Sequence, residues 1–245
     1  MTPLKVVSLV PSATETLLAL GVTPIACTRF CEQPGIETVG GTKDPDVAAI
    51  SLLEPDLVVV NDEENRLDDV DRLRKLGLAV HEMSPRSVAE VGPAVAALAA
   101  TVGADVPEPF APGDWRAWLG ERRRRRPGVP RRTFVLVWRR PWMTLAGDTY
   151  GSSLLQLLGC FNVFTGRGTR YPTVELADAA GRHPDLVLLP TEPYPFKDRH
   201  AAEVAGAIPG TEVAIVDGQD LFWWGIRTPG AVDRLAAALS RRPTP

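Results

Sequence analysis

Carboxylate groups follow two apolar runs of nearly the same sequence. Residues 54–60 read EPDLVVV and are followed by Asp62, Glu63 and Glu64, whereas residues 183–189 read HPDLVLL and are followed by Glu192. Like charges this close together raise one another's pKa unless a cation compensates. The first cluster therefore predicts a bound cation, a ligand amine or an arginine partner. The alternative is a solvated acidic first turn, which would favour the dipole of the next helix.

Polar residues near the first cluster are further candidates for ligand contacts. Asn65 follows the acidic residues directly, and Lys43 lies in the turn GGTKD at residues 40–44. The lysine either projects towards the same site or is simply solvated. Paired carboxylates with a nearby amine could also perform acid–base chemistry, so an enzyme acting on a small charged substrate stays open as the alternative function.

Aromatic residues are concentrated after residue 110, mostly in segments that follow predicted strands. A core stripe would show helical or alternating spacing, and these residues do not. They predict a flat hydrophobic wall for a ring-bearing ligand. The proposed wall residues are Trp142, Tyr171, Tyr194, Phe196, Trp223 and Trp224.

Two arginines stand beside this wall, and two aromatics are assigned elsewhere. Arg170 and Arg227 are expected to bind a ligand carboxylate or phosphate, or to pair with one of the acidic residues. Trp138 and Phe134 belong to the strand TFVLVW and are assigned to the core.

Ser12 and Phe30 are candidates in the first third of the chain. Ser12 begins SATE, where a strand meets a helix and free backbone N–H groups could hold an anion. The competing interpretation is a capping box between Ser12 and Glu15. Phe30 either contacts the ligand or packs into the protein.

Both halves of the chain predict strand, helix, strand, helix, strand, with the repeated apolar run as the second strand. Such alternation indicates an α/β fold with parallel sheets. We expect two Rossmann-like lobes, at residues 1–86 and 131–245, joined by a helical connector at 87–130 that is broken near 104–112. Ligands of parallel sheets bind beyond the carboxyl ends of the strands. The candidates would then line a cleft between the lobes, with Glu63 and Glu192 facing one another.

Composition excludes some functions. The net charge of −3 gives no general attraction to nucleic acid; Arg122–Arg126 is read as a basic helix end. No apolar stretch approaches the roughly 18–20 residues needed to span a bilayer, so membrane insertion is not expected. Cys27, Cys31 and Cys160 are expected to be buried thiols rather than half of a metal site, and they suit a reducing compartment. The first residues show no secretory signal, which predicts a cytoplasmic protein if Met1 is the native start.

Three stretches carry a resemblance that covers nearly the whole chain. They read VVSLVPSATETLLALGV, VGGTKDPDVAAISLLEPDLVVV and LLGCFNVF followed by RYPTVELADAAGRHPDLVLLPTEPYPF. The sequence resembles the helical-backbone metal-receptor superfamily, the substrate-binding proteins of ABC importers for cobalamin, haem and iron siderophores, and is most similar to the cobalamin-binding type.

This resemblance implies a non-catalytic binding protein with a shallow ligand cleft. Its ligand would be a corrinoid, a metal chelate or a related ring compound; cobalamin is one candidate, and no resident cofactor is specified. Phe30 would lie in a region that supplies an aromatic contact. Glu63 and Glu192 could dock onto arginines of an ABC permease if the protein is exported, and otherwise a role in the cleft is favoured.

Overall fold

The computed structural model describes residues 4–125, 129–166 and 168–240, which form two compact units. The first unit comprises residues 4–85, 89–117 and 224–227. The second comprises residues 86–88, the described residues from 118 to 223, and 228–240. A short segment near the end of the chain thus belongs to the first unit. The proposed boundaries at 86/87 and 130/131 remain a prediction about domains.

The first unit is built on a five-stranded parallel sheet in the order β3-β2-β1-β4-β5. Its central strands are wholly buried because helices cover both faces of such a sheet. The strands are β1 (Val6–Ser8), β2 (Ala26–Cys27), β3 (Glu37–Thr38), β4 (Leu57–Val60) and β5 (Val80–Glu82). Its helices are α1 (Pro11–Ala19), a 3-10 helix (Arg29–Cys31), α2 (Val47–Leu52) and α3 (Leu67–Lys75).

Two further helices, α4 (Val88–Val102) and α5 (Pro112–Arg124), follow the first sheet. The proline-rich segment between them is not helical. Phe110 stacks on Trp115 with ring centroids 5.0 Å apart. A Cβ atom on Gly92 would lie 2.3 Å from the Trp115 ring, so α4 needs glycine where this ring packs. In the basic helix end, the Arg122 guanidinium pairs with Asp233; Arg126 lies outside the described residues.

The second unit is built on a sheet in which the long strand β6 is central. One side of β6 carries β9 and then β10; the other side pairs with β8 near the start of β6 and with β7 near its end. The strands are β6 (Arg131–Trp138), β7 (Met143–Thr144), β8 (Cys160–Asn162), β9 (Leu186–Pro190) and β10 (Glu212–Val216). The helices are α6 (Tyr150–Leu157), α7 (Leu176–Ala180), α8 (Asp198–Ala207), α9 (Gly218–Phe222) and α10 (Thr228–Ser240).

The expected α/β fold with two Rossmann-like lobes and a duplicated strand pattern is confirmed. The order β2-β1-β4-β5 in the first sheet corresponds to β8-β6-β9-β10 in the second, and all of these pairings are parallel. The repeated apolar runs form β4 and β9, which are the fourth strand of each unit in chain order rather than the second as predicted. The intervening strands have only two or three residues, too few to show a periodic pattern. One of them, β7, pairs antiparallel with β6.

Candidate functional site

Two asparagines organise the loop that follows β4 in the first unit. The side-chain amide of Asn65 donates to the carbonyl groups of Leu9 (3.2 Å) and Thr42 (3.0 Å), and its oxygen accepts the backbone N–H of Asn61 at 2.9 Å. Asn65 is buried. Because these bonds occupy the whole side chain within the protein, the structure gives Asn65 a structural role rather than the predicted ligand contact.

Asn61 fixes the acidic residues themselves. Its side-chain oxygen accepts the backbone N–H groups of Glu63 (2.8 Å) and Glu64 (3.0 Å), and its amide donates to the carbonyl of Met83 at 2.9 Å. An asparagine that bonds to the backbone two or three residues ahead forms a compact turn. The turn therefore holds both glutamates at the carboxyl edge of the first sheet.

Lys43 is brought to this acidic turn, which agrees with one of the two alternatives that the sequence left open. Its ammonium group donates to the backbone carbonyl of Glu63. Although Glu64 is exposed as a residue, desolvation raises the pKa of its carboxyl group; Lys43 opposes that rise, and Glu63 adds to it. The compensating cation required by the acidic cluster is thus a lysine of the same unit.

The structure does not show the capping box that was predicted for Ser12. Val10 is the N-cap of α1, no side chain caps the helix, and Glu15 does not bond back to Ser12. Glu15 instead receives two hydrogen bonds from the Arg227 guanidinium, at 2.9 and 2.5 Å. The structure thus shows Glu15 as an acidic partner of Arg227, and the pairing of Arg227 with Glu63 or Glu192 stays a prediction. The capping box between Ser12 and Glu15 is wrong.

The ion pair fastens residues 224–227 to α1. A Cβ atom on Gly225 would lie only 2.3 Å from the hydroxyl oxygen of Thr16. That oxygen accepts the backbone N–H of Ile226 at 3.3 Å. Gly225 has φ +97°, a conformation that favours glycine. Trp224, assigned to the ligand wall, is only 6% exposed and is a core residue.

Phe30 is the exposed aromatic of the first unit. It lies in the 3-10 helix after β2, is 49% exposed, and carries the Arg29 guanidinium 4.8 Å from its ring centroid. The position leaves its ring available to a ligand.

The cysteines are buried thiols, as expected. Burial, followed by the proximity of Cys31, raises the pKa of Cys27 to about 12, and burial also raises the pKa of Cys160. These groups stay protonated and unreactive at neutral pH.

Aromatic rings gather at the carboxyl edge of the second sheet, around the ends of β6 and β9. Trp142 stacks on Phe196 with centroids 6.4 Å apart and an interplanar angle of 5°. Tyr194 contacts Phe196 at 4.8 Å and the edge of Trp138 at 5.5 Å. We call these four residues, together with His200 of α8, the aromatic cluster.

The members of the aromatic cluster differ in depth. Phe196 is 3% exposed, so it supports the other rings from beneath rather than forming the wall as predicted. Trp138 is 43% exposed and packs against Tyr194, so its assignment to the core is wrong. Residues 133–137 of β6 are buried, whereas Trp138, the last residue of the strand, is exposed. Phe134 is fully buried, as predicted.

A guanidinium completes one side of the cluster. Arg139 lies 5.3 Å from the Trp142 ring centroid and binds Glu203 with hydrogen bonds of 2.8 to 3.0 Å. His200 accepts the backbone N–H of Lys197 on Nδ1 at 3.0 Å, which caps α8. Desolvation, with further contributions from Arg199 and Arg139, lowers the pKa of His200. The imidazole is therefore neutral near neutral pH.

The loop that carries Glu192 is held by contacts with the start of α9. The Thr191 hydroxyl accepts the backbone N–H of Gly218 at 3.0 Å. A Cβ atom on Gly218 would lie 2.5 Å from the backbone nitrogen of Glu192, so the two segments touch. Glu192 itself is half-buried. Thr191 and Asn61 are the first polar residues after the two repeated strands, although Asn61 aligns with Pro190 in the repeat and Thr191 lies one position later.

The remaining predicted residues of the second unit are Arg170, Tyr171 and Trp223, which are not among the five residues that define the aromatic cluster. Arg170 and Tyr171 are half-buried, and the carbonyl of Arg170 accepts the N–H of Ala146 at 2.7 Å. Trp223 is half-buried and ends α9. Sequence analysis did not identify Arg139 or His200, since a basic pair before a proline and a histidine in a polar segment have many possible roles.

Elsewhere, the described residues form an apolar groove but no cluster of metal ligands. An apolar groove of about 550 Å³ lies between α2 and α3 in the first unit and contains none of the predicted site residues. No group of three or more His, Cys, Asp or Glu side chains in the described ranges could hold a metal ion. Every helix in the described residues is too short or too polar to cross a membrane.

Comparisons with known proteins support the resemblance seen in the sequence. The vitamin B12-binding protein of Vibrio cholerae is 24% identical over 190 residues, covering 75% of this chain and 69% of that protein. The corresponding protein of Vibrio vulnificus is 25% identical over 194 residues, covering 76% and 70%. No family model matches the chain.

Solved structures show the same fold. The periplasmic vitamin B12 binding protein of Vibrio cholerae has a TM-score of 0.80 at 22% identity, with 96% of each chain covered. The periplasmic heme binding protein of the same organism has a TM-score of 0.79 at 20% identity, covering 97% of this chain and 99% of that one. These relatives bear out the similarity to the helical-backbone metal receptors. They support a non-catalytic solute-binding function and do not favour the enzyme alternative.

The predicted cytoplasmic location is wrong. Similar solved proteins are described as periplasmic, which points to the periplasm instead. The cysteine count could not decide this question, because thiols as deeply buried as Cys27, Cys31 and Cys160 are protected in either compartment.

Proposed function

We propose that this protein is a solute-binding protein that holds a ring-bearing metal chelate, either a corrinoid or a haem, on the aromatic cluster. The observation that carries the proposal is the exposed face of Trp138, which packs against Tyr194 at the carboxyl edge of the second sheet. Ligands of open α/β sheets bind at this edge. Flat conjugated ligands gain both hydrophobic and stacking energy on aromatic rings.

The ordering of the rings supports this role. Trp142 contacts the Arg139 guanidinium and stacks on the buried ring of Phe196. Such packing limits the rotamers of Trp142, so little conformational entropy is lost when a ligand binds. The similarity to vitamin B12-binding and heme-binding proteins agrees with a ligand that contains a large ring.

Within the second unit, Arg170, Tyr171 and Trp223 are further candidates for ligand contacts. Phe30, Lys43 and Glu64 are the candidates of the first unit. Ser12, Asn65, Trp224 and Arg227 are better explained by internal packing and hydrogen bonding. We also propose that an ABC permease receives the ligand. The preference for a ligand role of Glu63 and Glu192 depended on a cytoplasmic location, so docking on that permease is now their favoured role.

Calorimetric titration tests the ligand class. Wild-type protein is titrated with cyanocobalamin, haemin and a ferric siderophore, and we expect saturable binding of at least one ring compound. Trp138→Ala should weaken that binding about tenfold, since a stacked aromatic contact is worth ~1.5 kcal/mol. Trp118→Ala is the matched control, because Trp118 lies on α5 with Arg122 rather than in the aromatic cluster.

Two results would contradict the proposal. One is the absence of binding by every ring compound to protein that is shown to be folded by circular dichroism. The other is equal affinity in wild-type protein and the Trp138→Ala variant, which would move the ligand away from the aromatic cluster.

A further inference from the structure

The aromatic cluster is bordered by an excess of positive charge. Arg139 lies over Trp142, and the Nε atom of Arg199 lies 3.1 Å from the Nε2 atom of His200. Desolvation lowers the pKa of His200 most, Arg199, Arg139 and Lys197 lower it further, and Glu203 opposes them. The field at this surface is therefore positive, although the chain as a whole carries a net charge of −3.

Most of these cations already have partners within the second unit. Arg139 is committed to Glu203 through a two-pronged ion pair, and the guanidinium of Arg199 lies against the imidazole of His200. Arg131, at the opposite end of β6, pairs with Glu212 at 2.5 Å. Cations that are fixed in this way supply a positive potential but keep few donors for a ligand.

Arg140 is different. It is exposed and directly follows Arg139 at the end of β6, and no side chain of the described residues forms an ion pair or hydrogen bond with its guanidinium. Its φ angle is +70°. This left-handed conformation costs a non-glycine residue of order 1 kcal/mol, and such residues concentrate at functional sites.

The combination has a chemical consequence. A flat ring on Trp138 and Trp142 would place its periphery among the cations at the end of β6. A guanidinium without an internal partner offers a planar pair of donors, which matches the geometry of a carboxylate. The carbonyl oxygen of a neutral amide or ester side chain also accepts from a guanidinium, but it lacks the negative charge that strengthens the bond to a carboxylate.

We propose that Arg140 determines specificity by binding a free carboxylate on the rim of the ring ligand, so the aromatic cluster selects anionic ring compounds over neutral ones. This inference rests on the proposed function, since it requires a ring ligand on the aromatic cluster. It narrows that function to metal chelates with unesterified acid groups.

A pair of ligands that differ only in charge tests the inference. Haemin and its dimethyl ester share one ring and one metal, and both are delivered from the same dimethyl sulfoxide stock into wild-type protein. We expect haemin to bind about tenfold more tightly than the ester, the effect of one charge-assisted hydrogen bond. Arg140→Gln should remove that preference by weakening only haemin, and Arg140→Lys should keep part of it.

Two further variants guard against unfolding and against general charge effects. Arg140→Gly removes the guanidinium where the backbone favours glycine, so it should be at least as stable as wild type while losing the preference. Arg116→Gln removes an exposed arginine on α5 and should keep the full preference.

The outcomes separate this inference from the proposed function. If neither haemin nor its ester binds wild-type protein, both the choice of ligand and the inference fail for haem. If both bind with equal affinity, the ring-binding function stands and the role of Arg140 is overturned. An unchanged preference in Arg140→Gln would also overturn it.

Discussion

Strands β4 and β9 occupy the same place in their sheets, each beside the first strand of its unit, yet the loops after them are held in different ways. After β4, two buried asparagines fix an acidic turn through hydrogen bonds with the backbone. After β9, a single threonine bonds to Gly218, and the rest of the loop is held by rings packed against the core. Duplication thus kept the strand, whereas the anchoring residue differs by one position and the loops diverged into a polar surface and an aromatic one.

The largest expected effect breaks the polar loop. Asn65→Ala should lower the free energy of unfolding by about 3 kcal/mol, because two carbonyl groups and one N–H lose their buried partner. Thr191→Ala removes the side-chain bond to Gly218 after β9 but keeps the backbone bond from Thr191 to Val216, so it should cost only about 1 kcal/mol. Urea denaturation followed by circular dichroism measures both values. Equal losses would show that the two loops are anchored with similar strength.

A smaller effect concerns the packing of the loop that follows β9. Gly218→Ala would bring a Cβ atom within 2.5 Å of the Glu192 backbone, so we expect a loss of roughly 2 kcal/mol through forced movement of the loop. Gly206→Ala is the matched control, since Gly206 lies in α8 with open space around its Cα. It should raise stability by ~0.5–1 kcal/mol through better helix propensity. Thermal denaturation distinguishes the two, and a neutral Gly218→Ala would refute the tight contact.

The smallest effect is the pH dependence that His200 gives to the stability of the second unit. Its pKa is lowered in the folded protein, so the unfolded state takes up the proton first as pH falls below about 6.5. The stability contribution of the neutral imidazole is present above that pH and is lost as pH decreases. His200→Phe keeps a ring against Tyr194 but cannot titrate. Its free energy of unfolding should therefore fall less between pH 7.5 and pH 5.5 than that of wild type.

Chemical denaturation at a series of pH values between these limits gives the two slopes. Parallel profiles for wild type and His200→Phe would exclude His200 as a source of the dependence. Protonation of His200 would place a charge on a desolvated ring and would also add that charge among Arg199, Arg139 and Lys197, with Glu203 as the opposing group. Both effects give the expected sign.

Several features of the site followed from the sequence because they depend on local patterns. Lys43 reaches the acidic turn, Phe30 is exposed, and Trp142 and Tyr194 contact other rings of the second unit. Each lies in a loop just after a strand, and parallel strands direct such loops to one edge. Other assignments failed because long-range contacts decided them. Glu15 finds Arg227 across 212 residues of sequence, and Trp224 is buried because residues 224–227 return to the first unit.

The sequence by itself determined the fold class, the duplicated strands and the similarity to metal-chelate receptors, because these depend on periodic apolar runs and on motifs that are continuous in the chain. Only the tertiary structure decided which polar residues are spent on internal bonds and which rings are exposed. Asn65 and Trp138 have ordinary positions in their segments, and their roles come from groups far away in sequence, such as Leu9 and Tyr194. Burial and hydrogen bonding are properties of neighbours in space, and a local pattern does not specify those neighbours.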